Sequence, residues 1–168
     1  MKKLVVLILF ISSNLLIAQD DLTVKGAEVN FVFVDNDVDG TIEGFNSASI
    51  IDLENFENSV FKGSVAVETI STGNSLRNWS LRRSKYFDVD TYPEITFSST
   101  NITGNIDSFK VTGDLTIKDI TKEVTFEFTK KDAKLIGNTS INSADYGITI
   151  KKNKDQNKVT VRILILLE

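Results

Sequence analysis

The side chains that carry most enzyme chemistry are missing from this chain. It has no histidine and no cysteine. Histidine bases, histidine metal ligands, thiolate nucleophiles and disulfides are therefore excluded outright. Ser71, Thr72 and Ser75 offer hydroxyls, but no general base stands beside them to activate one. Asp88 and Asp90 form an acidic pair in a turn-like segment, where solvated carboxylates are the ordinary outcome. The run Asp35-Asn36-Asp37-Val38-Asp39-Gly40 opens like a calcium-binding EF-hand loop. That loop needs a bidentate glutamate at its twelfth position, which is Asn46 here, and it needs flanking helices where this chain has strand-like segments. The run reads instead as a solvated turn in which Gly40 takes the awkward backbone angle, and no metal is expected. The residue types thus point to a non-enzyme without a cofactor.

Cations are the other chemical group with a pattern. Arg77, Arg82, Arg83 and Lys85 crowd one short stretch. Arg82, Arg83 and Lys85 suit the C-terminal end of a helix dipole, or a phosphate. Arg77 lies among apolar residues and has two readings: a structural bridge to Asp88 or Asp114, or a contact for the polar head of a ligand.

What must position these groups is a chain of alternating apolar residues, the two-residue period of strands. Val29, Phe31 and Phe33 alternate from Glu28 to Val34; further strands are expected over 41–51, 59–69, 94–102, through Phe109–Ile117, around Val124–Phe128, and over 135–142 and 158–167. Phe61, Val65 and Val67 would share one face, and Gly104-Asn105 and Lys118-Asp119 mark turns. Between Thr69 and Ser99 the period changes. Leu76, Trp79 and Leu81 suit a short helix capped by Asn74 or Ser75, followed by Pro93, the chain's single proline. Strands at this spacing form an antiparallel barrel or a sandwich, and a lone helix set among them plugs or covers something.

The same residues carry a family resemblance. Ser71-Thr72-Gly73-Asn74, Arg77, Leu81, Tyr86-Phe87-Asp88-Val89, Tyr92-Pro93 and Ile95-Thr96-Phe97-Ser98-Ser99 resemble the signature of the YceI-like family. Gly113-Asp114-Leu115-Thr116-Ile117 with Thr121-Lys122 and Val124 resembles its second block, and Asp145-Tyr146-Gly147-Ile148 its third. The resemblance covers roughly Leu22 to the end. It implies an all-β, lipocalin-like antiparallel barrel of about eight strands with one short helix inserted mid-chain, and binding of isoprenoid or other long-chain lipids. A barrel of that size holds side chains or one small ligand. On that reading Trp79, Leu81 and Phe87 line or close the mouth. Phe31, Phe33, Val65, Val67, Phe97, Leu115, Ile117, Phe126 and Phe128 line the bore, Phe97 and Phe126 projecting inward from facing strands, with Arg77 beside a polar head. Gly113 and Gly137 would leave space inside. A barrel filled by its own side chains, acting as a non-catalytic envelope or stress-associated protein, is the competing class.

Two departures from the family pattern stand out. Asn78 occupies the place of the usual acid after Arg77, and Ser143-Ala144 stand where an arginine is common before Asp145. Asp145 is then expected to pair with Lys151, Lys152 or water.

Composition sets the setting. Residues 1–18 have two lysines, an apolar run and a small residue at Ala18, the pattern of a signal peptide. The run is broken by Ser12, Ser13 and Asn14 and falls short of the roughly 20 apolar residues of a membrane span. Cleavage near Ala18 would leave one domain, 19–168, in the periplasm or outside the cell. It would carry 17 basic and 23 acidic side chains, a net charge of −6. That balance opposes nucleic acid, which needs a basic face, and anionic lipid head-groups as a broad surface target. The expected partners are an isoprenoid or other long-chain lipid and, at most, a second copy of the chain.

Overall fold

The computed structural model describes residues 23–53 and 55–168; the expected leader lies outside the described residues. Among the described residues nine strands form one antiparallel sheet: β1 (Val24–Phe33), β2 (Val38–Ile42), β3 (Asn46–Ser47), β4 (Lys62–Ala66), β5 (Glu94–Asn105), β6 (Ser108–Ile117), β7 (Ile120–Lys131), β8 (Lys134–Asn142) and β9 (Lys158–Leu167). Their order is β2-β1-β9-β8-β7-β6-β5-β4-β3, and an α-helix, α1 (Ser75–Leu81), sits between β4 and β5. The sheet curls until its two sides meet over a short seam. Thr41 and Ser71 exchange backbone hydrogen bonds of 2.8 and 3.0 Å. The Glu43 carbonyl accepts from the Ala66 N–H at 3.0 Å, and the Thr69 hydroxyl bonds both backbone groups of Glu43. The all-β, lipocalin-like expectation holds, with nine strands and a stitched seam in place of about eight in a continuous barrel.

Two expected strands break early, for identifiable reasons. Gly44 adopts φ +70°, so the stretch expected as one strand over 41–51 becomes β2 and the two-residue β3. β4 ends at Ala66, opposite Glu94, because the next partner is Pro93. Pro93 accepts from the Val67 N–H at 2.8 Å but has no N–H to return, and the chain turns at Val67–Thr69 in a 3-10 helix. Elsewhere the turn expected at Gly104-Asn105 falls one step later. Gly104 stays in β5 opposite Phe109, and the Asn105 side chain accepts from the N–H groups of Asp107 and Ser108.

Glycines within strands seat aromatic rings. A Cβ on Gly40 would lie 2.4 Å from the Phe31 ring, one on Gly137 2.4 Å from Phe128, and one on Gly113 2.7 Å from Phe97. The space expected at Gly113 and Gly137 is thus filled by neighbouring rings. Gly40 is required for close approach and does not take the turn's strained angle; Asp37 takes it, at φ 50°. At the end of the barrel where β6 begins, Phe109 stacks on Phe128 at 5.0 Å, Phe56 meets Phe109 edge-on at 4.7 Å, and Phe61 lies 5.6 Å from both Phe109 and Phe128. This aromatic cluster, with Ile51, Leu135 and Leu167, closes that end. The opposite end is covered by α1 and the segments around Tyr146 and Ile148.

Candidate functional site

Above the aromatic floor the bore is open. A cavity of ≈ 420 Å³ runs between the strands, within the roughly 300–1,000 Å³ typical of small-molecule sites. Its floor is Phe61, Phe126 and Phe128; its walls include Phe31 and Phe33 of β1, Val65 of β4, Phe97 of β5, Leu115 and Ile117 of β6, and Val159, Val161 and Ile163 of β9. At the rim stand Arg77, Ser80 and Leu81 of α1, then Tyr86 and Phe87, with Asn36 and Ile150 from loops opposite. Alternation is the cause: inward positions of each strand carry the apolar side chains, outward positions the polar ones.

Every bore or mouth residue expected from the sequence lines this cavity except Val67 and Trp79. Val67 is buried in the turn after β4, off the wall, because the strand that would have aimed it inward ends at Ala66. Trp79 points outward, 54% exposed, with the Arg83 guanidinium 4.2 Å above its ring. It lies about 200° round the helix from Arg77, whose face turns to the bore with that of Leu81. Phe97 and Phe126 do meet, ring centroids 5.4 Å apart, but across β6 in one sheet and not from facing strands. Sequence reasoning missed Ile95, Ile148 and the inward row of β9 as wall residues. The β9 row was visible in its alternation; Ile148 sits in a loop with no period to read.

The charged groups settle as follows. Among the described residues Arg77 makes no ion pair, so neither Asp88 nor Asp114 bridges it. It stands exposed at the rim of the cavity. Arg82 donates to the Ile70 carbonyl at 3.2 Å, tying the end of α1 to the wall. No group of three or more potential metal ligands occurs among the described residues. Asp35 instead pairs with Lys151 at 3.2 Å.

A family model described as the YceI-like domain matches residues 20–167. The chain belongs to the YceI-like domain family. Protein YceI of Shigella flexneri is 32% identical over 98 residues, which cover 58% of this chain and 49% of that relative. The chain thus spans about half the length of the curated relatives it matches. BcnA of Burkholderia cenocepacia superposes with a TM-score of 0.70 at 21% identity, covering 84% of this chain and 96% of that one. A polyisoprenoid-binding domain from Saccharophagus degradans, implicated in plant cell wall breakdown, superposes at 0.59 and 12% identity, covering 88% and 97%. At such identities the structural likeness establishes the fold.

In this YceI-like domain Asn78 and Asp145, the two positions singled out in the sequence, both find partners within the chain. Asn78 accepts from the N–H and the hydroxyl of Thr72, each at 2.8 Å, and so pins the 71–74 loop to α1 without a carboxylate. Asn74 caps the helix by accepting from the Arg77 N–H at 2.9 Å. Asp145 finds Lys154 at 2.6 Å, because Lys151 is already held by Asp35. That contact raises the Lys154 ammonium above its usual range, through the hydrogen bond and the charge of Asp145.

Next to Asp145, Tyr146 is only 2% exposed, and its hydroxyl has no hydrogen-bond partner among the described residues. Burial, helped by the charge of Asp145, pushes the phenol up to about 12. An unfolded tyrosine ionises near 10. Between about pH 10 and 12 the unfolded state therefore sheds a proton that the folded state keeps, and stability falls. Tyr146→Phe should remove this alkaline loss. At neutral pH it should be neutral or stabilising by up to about 1 kcal/mol, because an orphaned hydroxyl is deleted. Urea unfolding of both proteins across that pH range checks it; a steeper alkaline loss in Tyr146→Phe contradicts it.

Proposed function

We propose that this YceI-like domain binds one extended apolar ligand, of the isoprenoid class, in its bore, and does so without catalysis. The open cavity with its apolar walls carries the reading. Burying such a chain requires area and no chemistry: each methylene taken from water contributes about 0.8 kcal/mol. The polyisoprenoid-binding neighbour adds support for the ligand class. The cavity also counts against a barrel filled by its own side chains.

The proposal includes export, with the leader cut near Ala18 and Gln19 as the new N-terminus. The test is to make the full chain in a Gram-negative host, isolate periplasmic material and measure it by native mass spectrometry before and after solvent extraction. The expected result is a protein mass starting at Gln19 and an apolar adduct that extraction removes. A protein that keeps Met1 overturns the export reading. A clean apo mass, with no uptake of an added polyprenol, overturns the ligand reading.

A further inference from the structure

The same short helix that walls the cavity on its inner side carries an unpartnered surface on its outer side. Leu76 is 72% exposed and Trp79 is more than half exposed, one turn apart. Arg83 stacks on Trp79 and Lys85 follows within two residues. Among the described residues neither cation makes an ion pair. Over residues 75–90 the chain has Arg77, Arg82, Arg83 and Lys85 against only Asp88 and Asp90, although its net charge as a whole is −4.

We propose that this face docks on an anionic lipid bilayer, with Leu76 and Trp79 in the headgroup layer and Arg83 and Lys85 against lipid phosphates. Apolar side chains flanked by cations are what an interfacial contact requires, and an amphipathic indole sits well at that depth. The charge decides the occupant. A local cationic patch on an acidic protein is drawn to an anionic surface in one orientation, with α1 facing it. That orientation presents the helix-covered rim of the cavity to the lipid, so an apolar cargo need not cross water. The purpose of the contact rests on the apolar-ligand reading; the contact itself does not.

The test uses the full chain, and Trp79 reports directly because it is the chain's single tryptophan. Vesicles of phosphatidylcholine with about one-third phosphatidylglycerol should blue-shift Trp79 emission and sediment the protein, and salt near 0.5 M should reverse this. Pure phosphatidylcholine should bind it far less. Removing both cations in Arg83→Gln/Lys85→Gln should weaken vesicle binding by roughly 25-fold, about five-fold for each cation. Leu76→Ser should weaken it while leaving circular dichroism and extractable cargo unchanged, since the side chain is mostly exposed and does not line the cavity. The proposal is overturned if the wild type ignores anionic vesicles, as it would if this face met a protein instead, or if these variants bind as the wild type does. Retained cargo in a variant that no longer binds vesicles leaves the ligand reading standing by itself, so the two can fail separately.

Discussion

Phe128→Ala should lower stability to urea by about 3–5 kcal/mol, the largest loss of any single bore residue. Phe128 stacks on Phe109 at 5.0 Å, lies within 5.6 Å of Phe61 and 6.0 Å of Phe126, and rests on the backbone of Gly137. Its removal leaves a void bounded by three rings and by Gly137, whose backbone is fixed by the pairing of β7 with β8. Phe31→Ala is the control. Phe31 also rests on a glycine, Gly40, and also borders the cavity, but it is only half-buried where Phe128 is buried. Its loss forfeits fewer packing contacts, so about 1–2 kcal/mol is expected. Equal losses at the two positions would mean that the floor and the wall are packed alike, contrary to the geometry.

What the sequence made legible follows from what a period can encode. Phe109, Val111, Leu115 and Ile117 keep one two-residue phase, broken only by Gly113, and β6 has them on its inner face. Their direction needs only the pleat. Val67 continued such a row, but its fate was decided by Pro93, which lies 26 positions later and lacks the N–H that the ladder required. Trp79 was misplaced because α1 carries apolar residues on both sides, so its hydrophobic pattern does not say which side is in. Gly113 and Gly137 looked like empty space because a lone sequence does not show the ring across the strand. The loop that brings Ile150 to the rim is built on polar atoms. Asn157, fully buried, accepts from the N–H groups of Ile150 and Lys151 and donates to the carbonyls of Lys151, Asn153 and Lys154. A polar hub of this kind leaves no hydrophobic signature to find.

Val65→Trp separates an open bore from a solid one. Val65 is buried on β4 opposite Ile95, packs with Ile42, Ile70 and Leu81, and borders the ≈ 420 Å³ cavity. A Trp side chain there has somewhere to go. The indole should enter the bore, so the protein should fold, lose no more than about 1–2 kcal/mol and give up at least ten-fold in retained apolar ligand, because the new ring occupies the ligand's volume. The same kind of enlargement where no void exists should behave in the opposite way. In Gly137→Val the new Cβ would stand 2.4 Å from the Phe128 ring, so the ring or the strand must move and the cost should exceed that of Val65→Trp. Urea unfolding and solvent extraction of the two variants beside the wild type decide the matter. A Val65→Trp protein that folds and is free of ligand supports the carrier reading. One that unfolds as readily as Gly137→Val shows a bore with no room, and one that folds yet keeps its ligand places the ligand outside the bore.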